Sequence, residues 1–329
     1  MKRLCLSITL MIICCLVFAA SAAAGKTLRI SLQLPLKHHL GQNLLNFQQE
    51  VERESGGDLK IEIYPSAQLY KDKEVPQAVA SGAVEMGTAS LARFAGTVPA
   101  VDIFYVPFMF DSPEKVVKAT APSSNIRREL DDAILKTGTR VLWWQAYGSS
   151  ILLSKKDVIK TPADMRGKKV RVFGKTLGDT VKSVGGAPTM MSGSKQFLAY
   201  QRGTVDAGMT GITAVKSRKL YEVMDNMTLT YNADIEFIVI INEQVWQGLT
   251  DKQRSIITKA GLRVEKELRG KMGAIEQETL AYVSDKINVV DLTDAERAEW
   301  REATKPVVNN YMERAGELGK KLVAEAEKL

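Results

Sequence analysis

Apolar and polar residues alternate in short runs through the first half of the chain and give way to long helical periods in the last third. Leu28-Arg-Ile-Ser-Leu-Gln-Leu34 alternates with period two, the signature of a half-buried strand. Leu40 to Ser55 carries apolar residues at helical spacing and stops at Gly56-Gly57, and Leu59 to Tyr64 is a second strand closed by Pro65. Val84 to Ala89, Arg140 to Gln145 and Val170 to Val172 predict further strands with helices between them. Such βαβ alternation predicts α/β architecture with parallel sheets. Thr250-Asp-Lys-Gln253 fits a capping box and opens one long amphipathic helix to about Asp285. A late strand is expected at Ile287 to Leu292, and Thr293-Asp-Ala-Glu296 caps the terminal helices. No repeat, low-complexity tract or Gly/Ser linker interrupts the pattern, so any hinge must be made of strands and a helix.

The N-terminus changes the picture of where the chain works. Lys2 and Arg3 precede an uncharged apolar run from Leu4 to Ala20, and Ala20-Ser-Ala-Ala-Ala24 offers small-residue cleavage sites. A membrane anchor needs roughly 17 to 25 apolar residues, so this run is at the short end. Residues 1–24 therefore read as a cleaved secretory signal, which places the mature chain in the periplasm. Cys14 and Cys15 follow Ile12-Ile13 and not a small residue, which argues against a lipoprotein. Cys5, Cys14 and Cys15 are the only cysteines and all lie in this segment, so disulfides, thiol nucleophiles and cysteine metal sites are excluded from the mature chain. About 300 remaining residues are enough for two domains.

Charge and chemistry exclude more than they assign. The net charge is +7, of which Lys2 and Arg3 supply two, and no Lys/Arg cluster of the nucleic-acid-reading type occurs. The two histidines, His38 and His39, are adjacent and have no carboxylates at ligand spacing, so no metal site is expected. There is no Gly-x-Ser-x-Gly elbow, phosphate-cradling loop or dinucleotide fingerprint. No enzyme activity and no cofactor are expected.

The most informative stretch runs from Pro162 to Asp206. It contains Pro162-Ala-Asp-Met-Arg-Gly-Lys-Lys-Val-Arg171-Val, Gly186-Ala-Pro-Thr-Met-Met191 and Gln201-Arg-Gly-Thr-Val-Asp206. Arg171 alternates against apolar neighbours on a short strand, and a guanidinium fork matches a carboxylate with two parallel hydrogen bonds. Upstream, Phe47 to Pro65, Gln68-Leu69, Ala78 to Gly87 and Val106-Pro-Phe-Met-Phe110 complete an ordered set of motifs. Together they resemble the DctP-type periplasmic solute receptors of tripartite ATP-independent periplasmic (TRAP) transporters, over nearly the whole mature chain.

That resemblance implies a two-lobed fold of the type II periplasmic-binding-protein kind, with discontinuous lobes, connecting strands and a long lobe-spanning helix. One lobe would comprise residues 25–147 and about 237–272, the other 148–236 and about 273–329 with the C-terminal helices. It also implies that Arg171 clamps a carboxylate, that an ion gradient drives transport, and that a monomeric receptor delivers a small organic acid to TRAP membrane permease subunits. The departures from the family pattern suggest the ligand. Ser150 stands where many relatives carry a second arginine, Gly193 where they carry an aromatic ring, and Lys195 where an acid is usual. Ala207, Met209, Thr210 and Gly211 replace a common Gly, Glu, Asn and Pro, and Ser90 replaces a glutamate of the sialic-acid binders. These changes remove charge and bulk. With Phe173, Phe94, Tyr147, Trp144, Met191 and Met209 as candidate lining, and Asn232 and His39 completing the set, a monocarboxylate with a bulky apolar or aromatic body is expected. The alternatives are a small dicarboxylate or sugar acid, or a receptor of another transporter or sensor class.

Overall fold

Two sheets share one strand in the computed structural model, which describes residues 25–329; the expected signal segment 1–24 lies outside the described residues. The strands are β1 (Lys26–Ser31), β2 (Leu59–Tyr64), β3 (Met86–Ser90), β4 (Thr139–Ser154), β5 (Lys169–Val172), β6 (Ala187–Met190), β7 (Ala207–Gly211), β8 (Asn226–Leu229), β9 (Asp234–Asn242) and β10 (Asn288–Asp291). In the first sheet β2, β1 and β3 run parallel, and β9 lies antiparallel between β3 and the first half of β4. In the second, β6, β5 and β7 run parallel, and the last five residues of β4 join them antiparallel to β7. β8 pairs with the same end of β4 and with β10. The expected α/β, two-lobed architecture is what forms, each lobe built on one sheet.

The first sheet is covered by helices on both faces, and its central strands β3 and β9 are accordingly buried almost end to end. Trp143 and Trp144 show the consequence. Both are fully buried. Trp143 stacks on Phe47 of the helix His39–Ser55 and donates its indole N–H to Asn43. Trp144 points to the opposite face, against Phe104, and donates to Asp131 at 2.9 Å. Neither faces the cleft, which corrects the expectation for Trp144.

β4 changes sheets at Gly148. A register shift between Ala146 and Gly148 bends the strand there, and Gly148 has φ +104°, the left-handed region that favours glycine. β9 takes over opposite it from Asp234, three residues before Phe237. The long helix Asp251–Val283 straps both crossings. Its Glu276 accepts from the Ser149 amide at 2.6 Å, and its Arg269 holds Glu236 of β9 with two bonds of 2.8 and 2.9 Å. Toward its start the helix meets the first lobe through Asn43, which donates to the Val264 carbonyl at 2.7 Å. Toward its end it meets the second lobe through the Lys216–Glu278 pair at 2.8 Å. The terminal helix Pro306–Ala326 also packs on both lobes: Tyr311 donates to the Ala100 carbonyl, and Arg314 pairs with Asp179.

His38 joins the lobes directly. It caps the helix His39–Ser55 by accepting from the Leu40 amide at Nδ1, so its proton sits on Nε2 and is donated to Thr213 Oγ1 across the cleft at 3.2 Å. Burial pushes His38 well below the ordinary imidazole range, helped by repulsion from His39 and Arg218. Burial also pushes His39 down to about 4.

Two outcomes follow from this geometry. A Cβ on Gly148 would sit 2.3 Å from Glu276 Oε1, on a backbone that already disfavours it. Gly148→Ala should therefore lose about 1–3 kcal/mol in denaturant unfolding; a change under about 0.5 kcal/mol would show that the crossing is not constrained. Both histidines protonate near 6.5 in the unfolded chain; in the fold His39 resists until about 4, and burial holds His38 well below its ordinary range. The unfolded state thus binds more protons in that window, and stability is lost as pH falls through it. The melting temperature should drop between pH 6.5 and 4, and His38→Asn with His39→Gln should flatten that slope; an unchanged slope would assign the acid lability elsewhere.

Candidate functional site

Polar side chains collect where the parallel strands of the two sheets end, the usual binding edge of an open α/β sheet. Gln33 follows β1, Asp72 follows β2, and Ser90 and Arg93 stand at and just beyond the end of β3. From the other lobe come Arg171 on β5, Gln196 after β6, and Thr210 on β7. Tyr147, just before the crossing on β4, stacks on Phe237 of β9 at 5.0 Å and forms part of the wall. The space these residues enclose between the lobes is about 20 Å³. That holds about one water-sized group, so a ligand of several heavy atoms reaches the site only when the lobes part.

Arg171 dominates the chemistry. It is 2 % exposed. Its Nη1 donates to the Met209 carbonyl at 2.7 Å and its Nη2 to the Met191 carbonyl at 3.0 Å, and the guanidinium lies 5.1 Å over the Phe173 ring. Among the described residues no carboxylate lies within ion-pair reach of it. Burial pushes Arg171 down to about 10, only partly offset by Tyr200, with Arg93 and Arg218 adding repulsion. Carbonyl dipoles orient such a group without neutralising it, so an anion is the partner it lacks. Arg93 is different, since it is paired with Asp72, whose other oxygen accepts from the Ser90 amide.

Of the expected site residues, Arg171, Phe173, Ser90, Tyr147 and Thr210 border this cavity. Met191 and Met209 contribute carbonyls that hold Arg171, not apolar lining. Phe94 lines an open groove of about 570 Å³ on the first lobe, with Val98 and Leu318. Ser150 is buried in β4, its amide bonded to the Ala233 carbonyl, and Asn232 accepts from Thr230 at Oδ1; neither borders the cavity, and the Ser150 hydroxyl and Asn232 Nδ2 are buried without a partner among the described residues. His39 donates to the Ala146 carbonyl beside Tyr147. Gly193 is the sharpest correction. It opens no room, because the Arg218 guanidinium fills the position that a side chain would take. A further hollow of about 380 Å³ behind the hinge is lined by Asp234, Arg269 and Glu276, but Arg269 and Glu276 already answer Glu236 and Ser149.

Gln33, Asp72, Arg93, Gln196 and Arg218 were not singled out from the sequence. The available signal for the first four was position: each lies at or within a few residues beyond the end of a predicted or observed parallel strand, except Asp72, which is eight residues past Tyr64. Arg218 carries no such mark.

A family model described as bacterial extracellular solute-binding protein, family 7 (DctP) matches residues 30–315. The C4-dicarboxylate-binding periplasmic protein DctP of Rhodobacter capsulatus is 29% identical over 280 residues, 84% of this chain and 83% of that protein. The sialic acid-binding periplasmic protein SiaP of Vibrio cholerae is 28% identical over 304 residues, 91% of this chain and 92% of that one. A TRAP periplasmic solute-binding protein of Sulfurospirillum deleyianum, solved with bound succinate, superposes with a TM-score of 0.85 at 24% identity, covering 90% of this chain and 97% of that one. Among the described residues no helix is long and apolar enough to cross a membrane. The chain belongs to the DctP family, the periplasmic receptors that bind small organic acids for TRAP transporters.

Proposed function

We propose that this receptor closes its two lobes on a compact, polar organic acid whose carboxylate is held by Arg171, and that the closed form presents the solute, as a monomer, to TRAP membrane permease subunits. The observation that carries this reading is a fully buried guanidinium fixed by two carbonyls and facing no carboxylate of its own. One lobe is taken as residues 25–147 with about 237–272, the other as 148–236 with about 273–329, and ligand binding shifts the population toward the closed arrangement.

Size and charge argue for the ligand class. The expectation of a bulky apolar or aromatic monocarboxylate rested on a single arginine, on space at Gly193 and on the polar groups replaced at Ser90, Thr210 and Gly211. Arg218 occupies that space; Arg171 and Arg93 border the cavity and Arg218 stands directly behind its glutamines, three guanidiniums against the one carboxylate of Asp72. With both histidines neutral, that surplus favours short dicarboxylates and densely oxygenated acids over aryl acids. The Rhodobacter capsulatus relative named for C4-dicarboxylates is consistent with that choice.

Calorimetry and thermal shift on the mature chain against a panel of organic acids test it. A ligand at 100 times its Kd should stabilise by about 2.7 kcal/mol, a shift of a few degrees. Hits should concentrate among short, polar acids, whereas hits confined to aryl or indole acids would overturn the size argument. Arg171→Ala should weaken any bound acid by roughly 30-fold or more, since truncating one side of a buried charge pair costs about 2–5 kcal/mol. Binding retained within about threefold would sink the clamp.

A further inference from the structure

Arg218 does not border the cavity, yet it holds two residues that do. Its Nη1 donates to Gln196 Oε1 at 3.2 Å and its Nη2 to Gln33 Oε1 at 3.3 Å. Gln33 follows β1 in the first lobe, whereas Gln196 and Arg218 belong to the second. The bridge therefore spans the cleft, and both glutamines are buried, at 5 % and 0 % exposure. Gly193 makes the seat. A Cβ there would lie 2.0 Å from Arg218 Nη1 and 2.7 Å from Cζ. Gly193 is not among the residues with positive φ, so glycine serves here for room and not for backbone freedom.

The bridge also fixes polarity. A guanidinium only donates, so it takes the oxygen of each amide and turns each NH2 the other way. Gln196 Nε2 then meets Thr210 Oγ1 at 3.2 Å, which makes that hydroxyl an acceptor from the protein and leaves its own proton to give. Gln33 Nε2 donates to no protein acceptor among the described residues. Beside Arg171 the cavity is thus edged by donors, which suit a carboxylate or an oxo group. A hydroxyl at that end can accept from these donors but leaves its own proton without an acceptor, an ammonium sets donor against donor, and an unpaired buried group is costly.

We propose that Arg218, seated in the gap at Gly193, is a specificity-determining positioning residue: it latches Gln33 of one lobe to Gln196 of the other and turns both amides so that the site selects a ligand whose second polar group is a pure acceptor. This rests on the reading that Arg171 holds an acid in the same cavity, and the test separates the two. The probes are matched pairs from three to six carbons, each a dicarboxylate and the acid of equal length ending in a hydroxyl, with Kd measured by calorimetry and dissociation by stopped flow. The wild-type chain should prefer the dicarboxylate of its best pair by about tenfold or more. Arg218→Gln should reduce that ratio to within about threefold and speed dissociation, with the ligand-free melting temperature within about 2 °C. Gly193→Ala should do the same with the charge intact, by displacing the guanidinium, and it stands in for Arg218→Gln should that variant fail to fold. An unchanged ratio in both variants, or an equal loss for both members of a pair, overturns the proposal, the latter because it marks a latch without selectivity. A wild-type chain that shows no preference, or binds none of the pairs, also overturns it. Arg171→Ala should weaken every acid by roughly 30-fold or more; retention within about threefold there overturns the underlying clamp, whereas the ratio between pair members tests Arg218 separately.

Discussion

A guanidinium taken out of water loses several kcal/mol of hydration unless its charge is answered. Arg171 is answered within the protein only by two carbonyl dipoles and the face of one ring. The surrounding fold explains how such a cost is sustained. Met209 lies on β7 and Met191 immediately follows β6, on the two sides of β5, so their carbonyls are fixed by sheet hydrogen bonds and not by side-chain choice. On the reading proposed above, an anion answers that cost, and the first lobe supplies the enclosure that strengthens the contact.

Enclosure needs lobes that move along one path. Flexible linkers would let them wander; here the connections are β4, β9 and the long helix, each continuous through the boundary. The helix is tied to both strands within two residues of the crossing, at Ser149 and at Glu236. A bend at Gly148 can therefore open the cleft only by carrying β9 and the helix with it. Polar contacts cross the cleft, among them His38 with Thr213, Gln33 with Arg218, and Asp102 with Thr176, beside an edge-on ring pair of Tyr105 with Phe173. Polar contacts of this kind can exchange with water when the lobes part, which an apolar seam of the same area could not do cheaply.

The large features were legible in the sequence because they are periodic. Strand alternation, the capping boxes at Thr250 and Thr293 and the long helical period each depend on neighbours a few residues away, and all appear where expected. Arg171 was legible because it sits inside an ordered motif. The misreadings have a common cause, since they concern which way a residue faces once distant elements meet. Two adjacent tryptophans suggest one inside and one outside, but a sheet covered on both faces buries both. Methionines near the site suggested apolar lining, yet their carbonyls are what the site uses.

Ser150 and Gly193 look in the sequence like two separate losses, one of charge and one of bulk. In the fold they bear on a single balance. Position 218 lies 25 residues from 193 along the chain, at the end of the short helix Ile212–Ser217, and nothing local connects the two. Their side-chain spaces nonetheless coincide, so the absence of a ring at 193 is what admits a guanidinium from 218. The site that resulted has Arg171 and Arg93 on the cavity wall and Arg218 behind it, with the third charge arriving from a helix end in place of the strand where the resemblance expected it. A pocket emptied of charge and a pocket whose charge has been moved give the same sequence signature at 150 and 193. They differ only in what fills the vacated volume, and that is a property of the packed fold.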